Sequence, residues 1–245
     1  MQYEKFASIY DRLMADVDRE GWADYLMEFI PKGASVLECA CGTGEMSIAL
    51  SKRGLNVTAA DLSEEMLSEA AQKQREAGFA SRGLRFVKMD MRSLVSHKRV
   101  DCVVSCCDGA NYLTSREDLK KFFSSAWDVL KPGGLLLFDV SSRYKLSKVI
   151  GNNCFVENGE DIAYLWQNCY DDASKLIRME LSFFIKRGEL YERVDETHLQ
   201  RAHSVREIEN ALRETGYECS AYGFLTHDAP KETDERIQFA ARKPQ

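Results

Sequence analysis

One segment limits this chain more than any other: Val36-Leu37-Glu38-Cys39-Ala40-Cys41-Gly42-Thr43-Gly44-Glu45-Met46-Ser47, an apolar strand that runs without interruption into a glycine turn and then a helix. Glycine has no Cβ, so the backbone can turn sharply and a ligand can lie against the main chain. The first turn of the following helix offers N–H groups with no intrahelical partner. The next strand, expected at 55–60, leads to Asp61, 19 residues after Gly42. Mononucleotide-binding βαβ units put a carboxylate on a ribose diol at that distance. The spacing Gly42-x-Gly44-x-x-Ser47 lacks the third glycine of the dinucleotide fingerprint, which opposes a plain nicotinamide site.

Strand and helix patterns then alternate as a doubly wound α/β sheet requires. Short apolar runs at 34–40, 55–60, 84–88, 100–106 and 134–140 suit parallel strands covered on both faces. Ser63 opens a helix with Glu64 and Glu65 in its first turn, and Met66, Leu67, Ala70, Ala71 and Ala77 recur at helical spacing until Gly78. A helix over 115–130 is stopped by Lys131-Pro132-Gly133-Gly134. Residues 3–30 carry two amphipathic helical patterns, Phe6, Ile9, Tyr10, Leu13 and Met14, then Trp22, Tyr25, Leu26 and Phe29. Between 141 and 202 the rhythm breaks. Segments 162–170, 176–186 and 190–200 alternate apolar and polar residues, and turn signals at Asp171-Asp172-Ala173-Ser174 and Arg187-Gly188 join them into a three-stranded antiparallel insertion. A helix from about Ser204 to Gly216 and strands near 217–226 and 237–242 complete the core.

A chain of 245 residues holds one such domain with a modest insertion. Its net charge of −6 argues against a broad phosphate-binding surface, so nucleic acid is not an expected partner. No apolar run approaches the ~20 residues of a membrane span, and the charged start Met1-Gln2-Tyr3-Glu4-Lys5 lacks a signal-peptide pattern, so a cytoplasmic protein is expected, with no membrane partner, as a monomer or homodimer. The eight cysteines are irregularly spaced and read as reduced thiols. Cys39-x-Cys41 and Cys106-Cys107 fall at the ends of neighbouring strands, but structural zinc favours Cys-x-x-Cys spacing, so buried or site-lining thiols are the better reading and no metal is expected.

The stretch Glu38-x-x-Cys41-Gly42-Thr43-Gly44 resembles motif I of the class I S-adenosylmethionine (SAM) dependent methyltransferases. Asp61-Leu62-Ser63-Glu64-Glu65-Met66-Leu67 looks like the second motif, Lys88-Met89-Asp90-Met91-Arg92 the third, and Leu130-Lys131-Pro132-Gly133-Gly134 the turn before the fifth strand. The resemblance covers roughly residues 34–140. It implies a seven-stranded, mostly parallel sheet whose last strand is antiparallel, with SAM as cofactor and S-adenosylhomocysteine as product. On that pattern residues 1–32 form a helical lid, 33–140 with 203–245 the SAM-binding domain, and 141–202 a substrate-covering β insertion.

The same resemblance suggests roles residue by residue. Glu38 meets the methionine ammonium, Cys39 lies beside it, and Gly42 and Gly44 admit the methionine portion against the backbone. Asp61 accepts the ribose hydroxyls, Leu62 and Met66 pack on adenine or ribose, and Asp90 with the Met91 amide recognises adenine. Tyr10 contributes from the lid. The loop Ser105-Cys106-Cys107-Asp108-Gly109-Ala110-Asn111-Tyr112 falls where the family puts groups near the transferring methyl, with Cys107 and Asp108 against the cofactor and Tyr112 beside the acceptor. It lacks the Pro-Pro-aromatic and Pro-Cys signatures of nucleobase methyltransferases. Cys107 as a nucleophile has no visible activating base.

On the inserted strand, alternation sends Glu192, Glu196 and His198 to one face and Tyr191, Arg193 and Asp195 to the other. His198 is the best general-base candidate because its ordinary pKa lies near neutrality, and a purely structural histidine is the alternative. Glu196-Thr197-His198-x-x-Arg201 also resembles insertions of small-molecule and amino-sugar N-methyltransferases. Three functions stand at this point: a SAM-dependent methyltransferase acting on an N or O nucleophile of a small molecule, the same core directed at RNA or protein, and an NAD-dependent oxidoreductase. The acceptor itself is not legible in these residues.

Overall fold

The structure, a computed structural model, describes Ala7, Tyr10, Asp11, residues 14–76 and residues 83–245. Phe6, Ile9, Leu13, Ala77 and Gly78, which enter the helical patterns above, lie outside the described residues. Five parallel strands form the centre: β1 (Ser35–Cys39), β2 (Asn56–Asp61), β3 (Leu84–Lys88), β4 (Val100–Ser105) and β5 (Leu130–Ser141). An antiparallel meander follows: β6 (Cys154–Asn158), β7 (Ile162–Asp171), β8 (Leu176–Arg187) and β9 (Leu190–Arg201). The chain then returns to the first sheet with β10 (Glu218–Gly223) and β11 (Arg236–Arg242), giving the order β10-β11-β5-β4-β1-β2-β3. The last strand runs antiparallel to both neighbours, so the expected seven-stranded architecture is the one observed.

Period-two alternation distributes the strands' side chains to two cores. Leu37, Val103, Leu136, Phe138, Val140 and Phe239 face helices α4 (Arg116–Val129) and α5 (Val205–Thr215). Val36, Val57, Cys102, Val104, Leu135 and Leu137 face α1 (Arg19–Met27) and α2 (Glu45–Lys52). Helix α3 (Glu64–Glu76) starts where the Ser63 hydroxyl accepts from the Met66 amide at 3.1 Å. Helix α5 begins with a Ser204/Glu207 capping box and ends at Gly216 in the left-handed conformation.

Two expectations change. The insertion has four strands: β6 is mostly exposed, so it shows no apolar alternation to read. The 131–134 segment does not stop α4, which ends at Val129 because Leu130 is already extended. It is a bulge inside β5, across which the register to β4 shifts from Val100–Leu130 to Cys102–Leu135. No helix among the described residues is long and apolar enough to cross a membrane.

Candidate active site

The carboxyl end of β1 brings the motif residues together. Leu37 and Cys39 point to the α4 side, so Glu38 points toward α2, where its carboxylate accepts the Ser47 hydroxyl at 2.5 Å. Glu38 is 2% exposed, and burial pushes its carboxyl up to about 7. The Cys39 side chain lies in the core, and burial raises its thiol. Gly42, with φ 53°, donates its amide to one oxygen of Asp61 at 2.8 Å, and Ser63 donates to the other at 2.9 Å. Asp61 therefore fixes the glycine turn and the start of α3 at once.

The two glycines serve different ends. A Cβ at Gly42 would meet only the Tyr10 ring, at 3.9 Å. At Gly44, with φ 77°, it would come within 2.8 Å of the Phe86 ring and 2.9 Å of Ala70. Gly44 thus lets α2 approach α3 and β3, whereas Gly42 leaves space in front of the backbone.

Tyr10 and Asp11 of the N-terminal segment lie against this turn. The Thr43 hydroxyl donates to Asp11 at 2.5 Å, and Asp11 pairs with Lys73 of α3, which also reaches Glu45 at 2.7 Å. Burial raises the Tyr10 hydroxyl's pKa. Tyr10 packs on a cluster that contains Ala7, Met66, Phe183, Ile185 and Val194, so Met66 is wedged between the N-terminal segment and the inserted sheet. Leu62 is 57% exposed. Asp90 caps a 3-10 turn, Met91–Ser93, and the Arg92 guanidinium holds it below the usual carboxylate range. Met91 is buried.

Three non-glycine residues in the left-handed region gather where β1 and β4 end: Ala40 (φ 53°), Cys107 (φ 58°) and Asp108 (φ 54°). Such conformations persist only where surrounding structure holds them, and they concentrate at functional sites. Gly109 brings the two loops into contact, since a Cβ there would sit 2.8 Å from the Ser105 hydroxyl and 2.9 Å from Ala40. Asp108 is held by its amide to Asp139 at 3.0 Å and by its carboxylate to Gln200 at 2.8 Å and Arg236 at 3.0 Å. Arg236 also pairs with buried Asp139, whose carboxyl burial pushes up to about 6, and stacks 5.1 Å over the Trp22 ring. Sequence reading missed Asp139, Gln200 and Arg236. They are 31, 92 and 128 positions from Asp108, and no local pattern links them.

On β9, Glu192, Val194, Glu196, His198 and Gln200 turn inward while Tyr191, Arg193 and Asp195 face solvent, the alternation expected. His198 Nδ1 lies 3.1 Å from the Tyr112 hydroxyl, joining the inserted sheet to the β4 loop. Burial lowers the His198 pKa, favouring neutral imidazole. The Cys107 thiol is pushed up to about 12, chiefly by burial, which disfavours a thiolate nucleophile. Asn111, fully buried, bonds both backbone groups of Ser141 and the Arg201 carbonyl, fastening the β5 and β9 ends to the same loop. Among the described residues no three His, Cys, Asp or Glu side chains are grouped to hold a metal ion.

Known proteins resemble this chain in sequence and fold. A family model described as a methyltransferase domain matches residues 36–134. The Bacillus subtilis (strain 168) protein YqeM, whose name marks it only as a candidate methyltransferase, is 40% identical, the alignment covering 99% of this chain and 98% of YqeM. A crystal structure of a SAM-dependent methyltransferase from Clostridium acetobutylicum ATCC 824 superposes with a TM-score of 0.88 at 35% identity, covering 99% of both chains. The chain is a SAM-dependent methyltransferase.

More distant relatives differ in acceptor. The tRNA 5-carboxymethoxyuridine methyltransferase of Escherichia coli (strain K12) is 26% identical, over 95% of this methyltransferase and 87% of its own length. A SAM-bound amino pentose methyltransferase from Micromonospora echinaspora shares the fold, with a TM-score of 0.74 at 18% identity, covering 99% and 98% of the two chains. SAM supplies an electrophilic methyl group on a sulfonium whose leaving group is a neutral thioether. The methyltransferase's own residues fit that cofactor: Gly42 leaves room for it, and the carboxylates of Glu38 and Asp61 end adjacent parallel strands at the same edge.

Proposed function

We propose that this methyltransferase methylates an N or O nucleophile of a small molecule held beneath the inserted sheet. The observation that carries this reading is the 3.1 Å contact between His198 of β9 and Tyr112 of the β4 loop. A neutral, largely buried imidazole at the junction of the inserted sheet and the β4 loop supports the reading, since it is suited to take a proton from an acceptor bound there. On the cofactor side, Glu38 faces the methionine ammonium, Asp61 the ribose and Asp90 with the Met91 amide the adenine. Gly42 and Gly44 shape the turn, Tyr10, Leu62 and Met66 cover the nucleoside, and Cys107 and Asp108 lie near the sulfonium. Cys39 acts there only through its main chain. Residues 1–32 and 141–202 serve as covers for cofactor and acceptor. In-line displacement needs the nucleophile and methyl aligned in a dry site, and these covers provide alignment and exclusion of water.

The relative that modifies tRNA makes an RNA acceptor the second reading. The charges on the inserted sheet oppose it. Arg178, Arg187, Arg193 and Arg201 of β8 and β9 each lie beside a carboxylate, at 2.7, 3.2, 2.9 and 3.3 Å, so they form no free basic stripe.

Calorimetric titration with SAM, S-adenosylhomocysteine and NADH, on wild type and Asp61→Ala, tests the cofactor assignment. Micromolar binding of the first two, lost in the variant, supports it, and binding of NADH alone overturns it. Methyl transfer from labelled SAM to a small-molecule extract but not to unmodified tRNA supports the acceptor class, and the reverse overturns it.

A further inference from the structure

The inner face of the inserted sheet carries polar side chains at the junction of two apolar clusters. One cluster contains Ile162, Phe183, Ile185 and Val194 with Ala7 and Met66. The other joins Ile177 and Met179 to Leu146 and Ile150 below the sheet. Two cross-strand rows meet there, Trp166-Leu181-Glu196 and Asn168-Met179-His198. Glu196 is only 6% exposed, yet its Oε2 has no hydrogen-bond partner among the described residues. The Trp166 indole N–H and the Asn168 Oδ1 are likewise buried without partners. Native proteins rarely leave several buried polar atoms unmatched in one place, and a buried carboxylate is costly unless a cation or donors meet it. Burial pushes the Glu196 carboxyl up to about 7 against a lowering pull from the N-terminal charge, so near neutral pH it is only partly ionised and an arriving cation draws it to the charged form.

We propose that Glu196 binds an ammonium group of the methyl acceptor, which makes the acceptor an amine. Trp166 donates its indole N–H to a second, hydrogen-bond-accepting group of the same molecule. The two residues flank Leu181 in one cross-strand row, two strands apart and about 10 Å between backbones, so a molecule reaching both lies over Leu181. His198, two residues from Glu196, turns to the same inward face. This inference rests on the methyltransferase reading above and names the acceptor's chemistry within it.

The test uses the full chain saturated with S-adenosylhomocysteine. Linear alkylammonium ions from methylammonium to butylammonium, with matched alkanols and alkyl carboxylates, are titrated by saturation-transfer NMR and calorimetry. Saturable binding of the ammonium series, about 10-fold or more tighter than the alcohols, supports the proposal. So does loss of that preference in Glu196→Gln, with S-adenosylhomocysteine affinity and the unfolding midpoint unchanged. The wild-type comparison decides the matter on its own if the variant does not fold. Absent ammonium binding, a preference for carboxylates, or undiminished ammonium binding in folded Glu196→Gln overturns it. Failure to bind S-adenosylhomocysteine is seen before any amine is added, and it overturns the methyltransferase reading instead.

Discussion

Gly42 and Gly44 stand two residues apart in one turn, both with positive φ, yet replacing each by alanine is expected to damage a different property. At Gly44 the left-handed conformation costs an L-residue about 1–2 kcal/mol. The new methyl, 2.8–2.9 Å from Phe86 and Ala70, adds overpacking of about 1–3 kcal/mol. Gly44→Ala should therefore lose about 2–5 kcal/mol of stability. Gly42→Ala carries the backbone term alone, about 1–2 kcal/mol, because its methyl meets only Tyr10 at 3.9 Å. That methyl does enter the space assigned to the cofactor, and overpacking there should weaken S-adenosylhomocysteine binding by about 10-fold or more. Urea unfolding of the free proteins and calorimetric titration below their midpoints separate the two effects. Phe86→Leu added to Gly44→Ala should recover part of the lost stability, since the two side chains collide and their effects cannot add. A Gly42→Ala protein that binds S-adenosylhomocysteine as tightly as wild type would refute the cofactor's position, and one less stable than Gly44→Ala would refute the packing argument.

Three further outcomes follow from the buried polar groups. Glu38 titrates near 7 when the cofactor is absent, and a cationic ligand prefers its ionised form, so S-adenosylhomocysteine should bind about 10-fold more weakly at pH 6 than at pH 8, a difference that Glu38→Gln should abolish. His203 Nε2 lies 2.8 Å from the Leu113 carbonyl, and burial lowers its pKa to about 4, below the unfolded value of about 6.5. Its stabilising effect is thus complete above pH 6.5 and is lost as pH falls toward 4. Urea midpoints should drop across that window by an amount equivalent to about 3 kcal/mol more in wild type than in His203→Gln. Asn111→Ala strands two carbonyls and an amide, which should cost about 3–5 kcal/mol and lower the melting temperature by roughly 10 °C in a scanning calorimeter.

The parallel core was readable because each buried strand is a short apolar run, and the glycine turn because the chemistry is compressed into Glu38–Ser47 with Asp61 at a fixed distance. Inward and outward faces of β9 followed from alternation alone, which is why His198 could be singled out. What escaped was long-range or unpatterned. Mostly exposed β6 offers no apolar–polar alternation, and the Pro-Gly-Gly segment reads as a helix stop whether it ends α4 or bulges from β5. Left-handed Ala40, Cys107 and Asp108 are not glycines, so nothing local announces them. Arg236 meets Asp108 only after β11 has inserted beside β5, and its seat over Trp22 depends on the opposite end of the chain.

That single arginine bears on how such enzymes can be recombined. The inserted sheet looks like an exchangeable module, since it enters after β5 and leaves before α5. Gln200 and Arg236 nevertheless share one carboxylate, with Gln200 on the module and Arg236 on the final strand of the host. Grafting a foreign sheet that lacks the glutamine would leave Asp108 one hydrogen bond short, in the left-handed loop that follows β4. A working chimera would have to carry a glutamine at position 200 to match the host's Asp108, Asp139 and Arg236.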